Sequence, residues 1–129
     1  MKIRVLLSVA IFLFASIIVA NAQSKIEVNS KQVSTMLQKD AKLIVLDVRT
    51  ADEFNNGHIK GAINIDIKQP DAFSKIDKLN HDAKYIVHCR TNHRSQIAVD
   101  HMQQSGFKFI YQMMDGYMGW EANNLAIQQ

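Results

Sequence analysis

Residues 85–95 read YIVHCRTNHRS, and the fold can be worked out from this stretch. Its apolar start, residues 85–87, predicts a buried β-strand, and its end opens a helix-like stretch. Cys89, the only cysteine of the chain, lies between the two. A strand that ends in a thiol and turns into a helix places the sulfur near free backbone N–H groups and the positive end of the helix dipole. That setting favours the thiolate and can hold an anion.

Two arginines flank this thiol in the sequence. Arg90 and Arg94 add permanent positive charge, so the segment predicts a nucleophilic Cys89 that meets an anionic substrate. The alternative is a buried, inert cysteine at a strand end, which is common for free cysteine. Because both arginines lie within five residues of the sulfur, we do not expect apolar surroundings, and we favour the reactive interpretation.

Short β-like runs alternate with helix-like stretches on both sides of this segment. The apolar run Leu43–Leu46 predicts a strand covered on both faces, and Thr50 with Glu53 predicts a helix start with a capping box. Other strands are predicted at 26–28, 62–65, 85–88 and 109–111, and other helices at 31–39, 72–79, 95–105 and 117–123. This order predicts an α/β fold with a mostly parallel central sheet of about five strands and helices on both faces. Ligands bind such sheets beyond the carboxyl ends of the strands, where Asp47 and Cys89 both fall.

The first 22 residues have the pattern of a secretory signal peptide. Lys2 and Arg4 precede the apolar run 6–20, and the small residues at its end predict cleavage after Ala22. A run of about 15 residues is short for a membrane span of about 20, so a transmembrane anchor is the weaker alternative. We therefore expect residues 1–22 to be removed and residues 23–129 to form a single domain, exported to the bacterial periplasm without a stable membrane anchor.

Charge and composition narrow the function classes. The chain has 15 basic and 12 acidic residues, and removal of Lys2 and Arg4 leaves 13 against 12, so the mature protein is nearly neutral. The sequence shows no stripe of basic residues interleaved with aromatic ones, and nucleic-acid binding is not predicted. The spacing of His88, Cys89 and His93 does not suit zinc. We expect neither a metal nor an organic cofactor.

Three motifs together resemble the rhodanese-like, or sulfurtransferase, domain. The first comprises residues 46–50, 53–54 and 57–65, the second is the loop 88–95, and the third comprises 116–120 and 125–127. They occur in the order and spacing of that family and cover about residues 26–127. Four residues separate Cys89 from Arg94, whereas cysteine phosphatases of related fold use a loop one residue longer. The resemblance therefore implies sulfur transfer rather than hydrolysis of a phosphate ester.

This resemblance also implies a mechanism with two half-reactions. Cys89 attacks the outer sulfur of a small anionic donor such as thiosulfate, and sulfite leaves. Cyanide, a small thiol or a protein thiol then takes the sulfur from the Cys89 persulfide. The residues expected to bind the substrate follow the cysteine: Arg90, Thr91, Asn92, His93, Arg94 and Ser95. Two other classes stay open, namely a non-enzymatic sulfur carrier or protein-binding module, and a cysteine phosphatase or arsenate reductase.

Asp47, Arg49 and His58 are predicted to support the site. Asp47 closes a buried strand, and we expect it to pair with a loop arginine or to orient loop amides rather than to act as a general base. Arg49 and Glu53, four residues apart near a helix start, are expected to form an ion pair. His58 lies in a tight turn between two glycines, where a hydrogen-bonded structural role is favoured over catalysis.

Three further side chains carry specific expectations. Asn92 stands where many members of the family carry glycine, and we expect it to adopt positive φ, which asparagine tolerates. His93 either protonates a leaving group, tunes the thiolate or faces solvent, and we favour the last interpretation. Trp120 is expected in the core rather than at the surface as a platform for substrate.

Overall fold

The computed structural model describes residues 25–129. The predicted signal peptide and its cleavage after Ala22 lie outside the described residues. Within residues 25–129, no helix has the length and apolar character needed to cross a membrane. The helices are Ser30–Lys39 (α1), Ala51–Asn55 (α2), Ala72–Asp77 (α3), His93–Gln104 (α4) and Gly116–Ala122 (α5). The strands are Ile26–Val28 (β1), Ile44–Asp47 (β2), His58–Ile59 (β3), Ile63–Asn64 (β4), Lys84–His88 (β5), Phe109–Met113 (β6) and Ile127–Gln128 (β7).

Five of the strands form one parallel sheet in the order β1-β6-β5-β2-β4. Its central strand, β5, pairs with β6 on one side and with β2 on the other. In this register Asp47 lies opposite His88, so β2 and β5 end at the same level. The predicted α/β fold with a parallel sheet of about five strands is therefore confirmed.

Apolar side chains of the central strand alternate between the two faces of the sheet. Tyr85 and Val87 pack in a core with residues of α3 and α4, whereas Ile86 packs in a second core with residues of α1 and α5. Trp120 of α5 is buried in that second core, as predicted. Helices thus cover both faces, and the sheet is shielded from solvent along its centre.

Local sequence explains where most elements begin and end. The predicted capping box is confirmed, since Thr50 accepts the Glu53 N–H and the Glu53 carboxylate accepts the Thr50 N–H. Helix α4 begins two residues before the predicted start, at His93, and α3 ends two residues before the predicted end, at Asp77. The short antiparallel pair β3–β7 was not predicted, because two-residue strands are too short to show a hydrophobic period.

Candidate active site

Cys89 follows β5 directly, and the loop 90–92 joins it to α4. Only 1% of this cysteine is exposed, and it packs in the core on the α3 and α4 side of the sheet. The expectation that flanking arginines keep the thiol out of apolar surroundings is therefore wrong. The reason is geometric: Arg90 is exposed and Arg94 pairs with Glu53 of α2, so both charges are accommodated without exposing the cysteine.

The first turn of α5 holds the carbonyl groups of the cysteine loop. The Cys89 carbonyl accepts the Tyr117 N–H at 2.8 Å, and the Arg90 carbonyl accepts the Met118 N–H at 3.0 Å. His88 Nδ1 donates a second hydrogen bond, of 3.0 Å, to the Cys89 carbonyl. In a trans peptide the C=O and the N–H point in opposite directions. Fixing these carbonyls against α5 therefore turns the following N–H groups, of Arg90 and Thr91, to the other side of the loop.

Those N–H groups are unpaired donors. Within residues 25–129, no hydrogen bond uses the backbone N–H of any residue from 90 to 95. Unpaired N–H groups at a strand-to-helix turn are the physical requirement for an anion site, because each gains a partner only from a bound ligand or from water. The N–H groups that the sequence predicts for anion binding are thus without protein partners in the residues that follow Cys89.

Gly116 allows α5 to approach the loop this closely. Its φ is +60°, and a Cβ at this position would lie 2.3 Å from the carbonyl oxygens of both Arg90 and Thr91. A side chain of any size would overlap these oxygens and would also meet the ordinary penalty for a positive φ. Gly116 belongs to the third family motif, but its contact with the loop was not predicted because it joins segments about 25 residues apart.

Asp47 and Arg49 form a closed, buried ion pair beside the loop. Arg49 Nη2 lies 2.7 Å from Asp47 Oδ2, and the Arg49 Nε and backbone N–H also donate to the same carboxylate. The guanidinium donates to the Gly57 carbonyl and lies 3.9 Å above the ring of Tyr117. The partner of Asp47 is thus Arg49, which directly follows β2, and not an arginine of the cysteine loop as the sequence predicted. The predicted pair of Arg49 with Glu53 is wrong, because Arg49 precedes the helix and turns back to Asp47.

Glu53 instead pairs with Arg94 at the start of α4. Arg94 Nη1 and Nη2 lie 2.7 and 3.1 Å from the two carboxylate oxygens of Glu53, a two-point contact. The Arg94 guanidinium lowers the pKa of Glu53 from 4.5 to about 2, and the same contact raises the pKa of Arg94. Both groups are therefore charged at neutral pH. The positive charge of Arg94, which the sequence predicted for the loop, is therefore neutralised by Glu53, 41 positions away.

Two buried polar atoms beneath the loop have no hydrogen-bond partner among the described residues. They are Nε2 of His88 and the hydroxyl oxygen of Tyr117. Nε2 lies 3.6 Å from Asp47 Oδ2, while Nδ1 bonds the Cys89 carbonyl. Burial lowers the pKa of His88, against the opposing effect of Asp47, and burial raises the pKa of Tyr117. The sequence suggested His88 only as a possible zinc ligand, and its contact with the Cys89 carbonyl was not predicted.

The remaining loop residues divide into exposed and internal ones. Thr91, Asn92 and His93 are exposed, in agreement with the favoured interpretation of His93. Asn92 has φ −149°, so the expected positive φ is wrong. Its carbonyl serves as the first acceptor of α4, receiving hydrogen bonds from the Gln96 N–H and from the Ser95 hydroxyl. The Ser95 side chain is buried and also accepts from Gln112, so this hydroxyl secures the loop and only its N–H is left for a ligand.

His58 has the structural role that the sequence predicts. Its Nδ1 donates to the Phe54 carbonyl at 2.9 Å, and its ring stacks on the ring of Phe54 at 3.7 Å between centroids. These contacts fix β3 against the end of α2, the helix that contains Glu53.

A polar pocket of about 220 Å³ opens beside the cysteine loop. Its charged lining comes from Arg90, Arg49, Glu53 and Glu121, and Tyr117 forms an aromatic wall. Among the described residues, no cluster of three or more potential ligands could hold a metal ion. The pocket offers the guanidinium group of Arg90 beside the loop, and Cys89 itself is not part of its lining.

The geometry defines a class of α/β proteins that carry a cysteine loop at the carboxyl edge of a parallel sheet. The family model of the rhodanese-like domain matches residues 29–123. This chain therefore belongs to the rhodanese-like family, as the three sequence motifs predicted.

Relatives of this chain carry names that concern sulfur chemistry. The chain is 26% identical over 98 residues to "Thiosulfate sulfurtransferase GlpE" of Coxiella burnetii, covering 73% of this chain and 90% of that protein. It is 27% identical over 100 residues to "Putative sulfur carrier protein YrkF" of Bacillus subtilis, covering 78% of this chain but only 53% of that protein. A crystal structure of a rhodanese-related protein from Thermoplasma volcanium matches with a TM-score of 0.71 and 28% identity, covering 80% of this chain and 97% of that one.

Proposed function

We propose that this protein is a sulfurtransferase that moves a sulfane sulfur from an anionic donor to cyanide or a thiol through a persulfide on Cys89. The observation that carries the proposal is the set of unpaired N–H groups of residues 90–95 around the only cysteine. The names of relatives such as GlpE add support at the level of the family.

In the first half-reaction the Cys89 thiolate attacks the outer sulfur of the donor. For thiosulfate, a bond forms between Cys89 Sγ and that sulfur, the bond to the sulfonate sulfur breaks, and sulfite leaves with the electron pair. The loop N–H groups and the exposed Arg90 bind the charge of the donor and of the leaving group. Arg94 lies in the first turn of α4, where its ion pair with Glu53 holds α2 beside the loop.

In the second half-reaction an acceptor nucleophile attacks the outer sulfur of the persulfide. Cyanide leaves as thiocyanate and a thiol leaves as a persulfide, and Cys89 returns to the thiolate in both cases. The N–H groups that held the donor stabilise the persulfide anion between the steps. We expect ping-pong kinetics, because the first product leaves before the acceptor reacts.

Intact-protein mass spectrometry tests the proposal. Residues 23–129 are incubated with thiosulfate, and in a parallel sample with methanethiosulfonate, beside the variant Cys89→Ser. We expect the mass of one added sulfur atom on the wild type only, and we expect cyanide to remove it. Absence of the added sulfur with both donors, in a folded protein with a free thiol, would overturn the proposal.

A sulfur carrier with slow turnover is a second candidate. The observation that favours it is the 1% exposure of Cys89, which restricts access by an acceptor. Thiocyanate release under excess donor and cyanide distinguishes the two candidates. Many turnovers per Cys89 support the enzyme, whereas a single equivalent supports the carrier.

We also propose that residues 1–22 direct export to the bacterial periplasm and are then removed. N-terminal sequencing of the protein purified from a periplasmic extract checks this proposal. A mature chain that begins at Gln23 is expected, and an intact Met1 would contradict cleavage.

A further inference from the structure

Acidic side chains surround the candidate anion site more closely than its loop sequence suggests. Glu53 contacts Arg94 through both carboxylate oxygens, and it also lines the polar pocket beside the loop. Glu121, which is exposed on α5, lines the same pocket. A site built only to attract highly charged anions would not place two carboxylates at this position.

The fixed charges around the loop can be summed from their contacts. Asp47 cancels Arg49, and Glu53 cancels Arg94. His88 is buried with a lowered pKa and is neutral at physiological pH. Arg90 then remains as a positive charge with no ion-pair partner among the described residues. With the exposed Glu121 of the pocket included, the fixed charges sum to zero, which leaves only the N–H groups to balance the charges of the Cys89 thiolate and of the donor.

The charge of the donor affects the height of the barrier for attack by Cys89 in this site. When a thiolate attacks thiosulfate, three negative charges meet in the transition state, but only two meet when it attacks a thiosulfonate. Interactions between charges a few ångströms apart are strong in a partly buried site and weakly screened by salt. Each further negative charge on the donor therefore raises the barrier, because Glu53 offsets the attraction that Arg94 would otherwise exert on it.

We infer that the Glu53–Arg94 pair determines which donors the site accepts, so that monoanionic sulfane-sulfur donors are preferred to dianionic ones. This inference rests on the proposed sulfurtransferase function. With methanethiosulfonate, Cys89 Sγ bonds to the outer sulfur, the bond between that sulfur and the sulfonyl sulfur breaks, and methanesulfinate leaves with the electron pair. The total charge of two negatives is the same before and after the step.

The variant Glu53→Gln isolates this charge. Glutamine at the third helical position keeps the capping box with Thr50, and its amide oxygen can still accept from Arg94. The measured quantity is kcat/KM for thiosulfate and for methanethiosulfonate, in the wild type and in the variant. We expect Glu53→Gln to raise the ratio of the thiosulfate value to the methanethiosulfonate value by about tenfold. Comparing the two ratios removes the intrinsic reactivity of each donor.

Two further variants make the result specific. Asp52→Asn removes a neighbouring exposed carboxylate of α2 that does not line the pocket, and it should leave the ratio unchanged. Glu121→Gln removes the second carboxylate of the pocket and should raise the ratio by about threefold, which tests the inference even if Glu53→Gln folds poorly.

The outcomes separate this inference from the function on which it rests. An unchanged ratio in both Glu53→Gln and Glu121→Gln, with a persulfide formed by the wild type, would overturn the inference alone. Equal change for both donors would show that Glu53 acts on the loop geometry and not on donor charge, and it would also overturn the inference. If the wild type formed no persulfide with either donor, the proposed function itself would fall.

Discussion

The carboxyl ends of β2 and β5 lie side by side, but their polar groups are satisfied in opposite ways. After β2, the Asp47 carboxylate receives hydrogen bonds from the guanidinium and the backbone N–H of Arg49. The same guanidinium is capped by the Gly57 carbonyl and by the ring of Tyr117. After β5, the N–H groups of residues 90–95 have no partner in the described part of the chain. The polar groups after β2 therefore satisfy one another, whereas the N–H groups after β5 are available to a ligand.

This difference separates structural polar groups from functional ones. A buried ion pair contributes to a unique fold only when nearly all of its hydrogen bonds are made. Unpaired donors destabilise the free protein and persist where a ligand can use them. Substitutions after β2 should therefore act mainly on stability, and substitutions at the β5 loop mainly on sulfur transfer.

Arg49→Met should produce the largest loss of stability. It leaves the fully buried Asp47 carboxylate without its cationic partner, and breaking a buried pair in this way costs about 3–5 kcal/mol. Chemical denaturation measures the free energy of unfolding. The double variant Asp47→Asn, Arg49→Met should recover part of the loss, since no unpaired charge remains. A double variant less stable than the single one would contradict the description of the β2 end as a closed pair.

Gly116→Ala should lower both stability and activity, because it acts where α5 fixes the open loop. The positive φ costs about 1–2 kcal/mol, and overlap with the carbonyls of Arg90 and Thr91 costs about 1–3 kcal/mol more. We expect kcat/KM to fall roughly a hundredfold, since the loop N–H groups shift with their carbonyls. Gly106→Ala is the matched control, because Gly106 has φ +86° but nothing within 4 Å of an added Cβ. Equal effects of both variants would contradict the proposed contact.

Glu53→Gln should have the smallest effect on stability, because it weakens only the ion pair between Glu53 of α2 and Arg94 of α4. The folded-state pKa of Glu53 is lowered from 4.5 to about 2. The pair therefore stabilises the fold above pH 4.5 and loses its contribution as the pH falls toward 2. At neutral pH we expect the wild type to exceed Glu53→Gln by about 1 kcal/mol in unfolding free energy. This difference should be constant between pH 5 and 7 and should shrink below pH 4.5, and a difference that grows on acidification would contradict it.

Most of the fold could be predicted from the sequence because its signals are local. The apolar strands, the capping box of Thr50 with Glu53 and the position of the cysteine between strand and helix are each encoded by residues only a few positions apart. The expected pair of Arg49 with Glu53 failed because the four-residue spacing applies to helical positions, and Arg49 lies before the helix. The expected positive φ of Asn92 failed because a family pattern records a residue type, whereas the carbonyl of Asn92 is needed as the first acceptor of α4.

The sequence by itself determined the alternation of strands and helices, the parallel sheet, and the place of Cys89 at the carboxyl edge. Periodicity, capping and family motifs encode these features over short stretches of chain. Only the tertiary structure decided that Glu53 neutralises Arg94, that α5 holds the carbonyls of the cysteine loop, and that Cys89 is buried. Each of these depends on segments that are distant along the chain and meet only when the helices pack on the sheet. Packing thus assigned partners to most polar groups near Cys89, and within residues 25–129 it left the loop N–H groups without one.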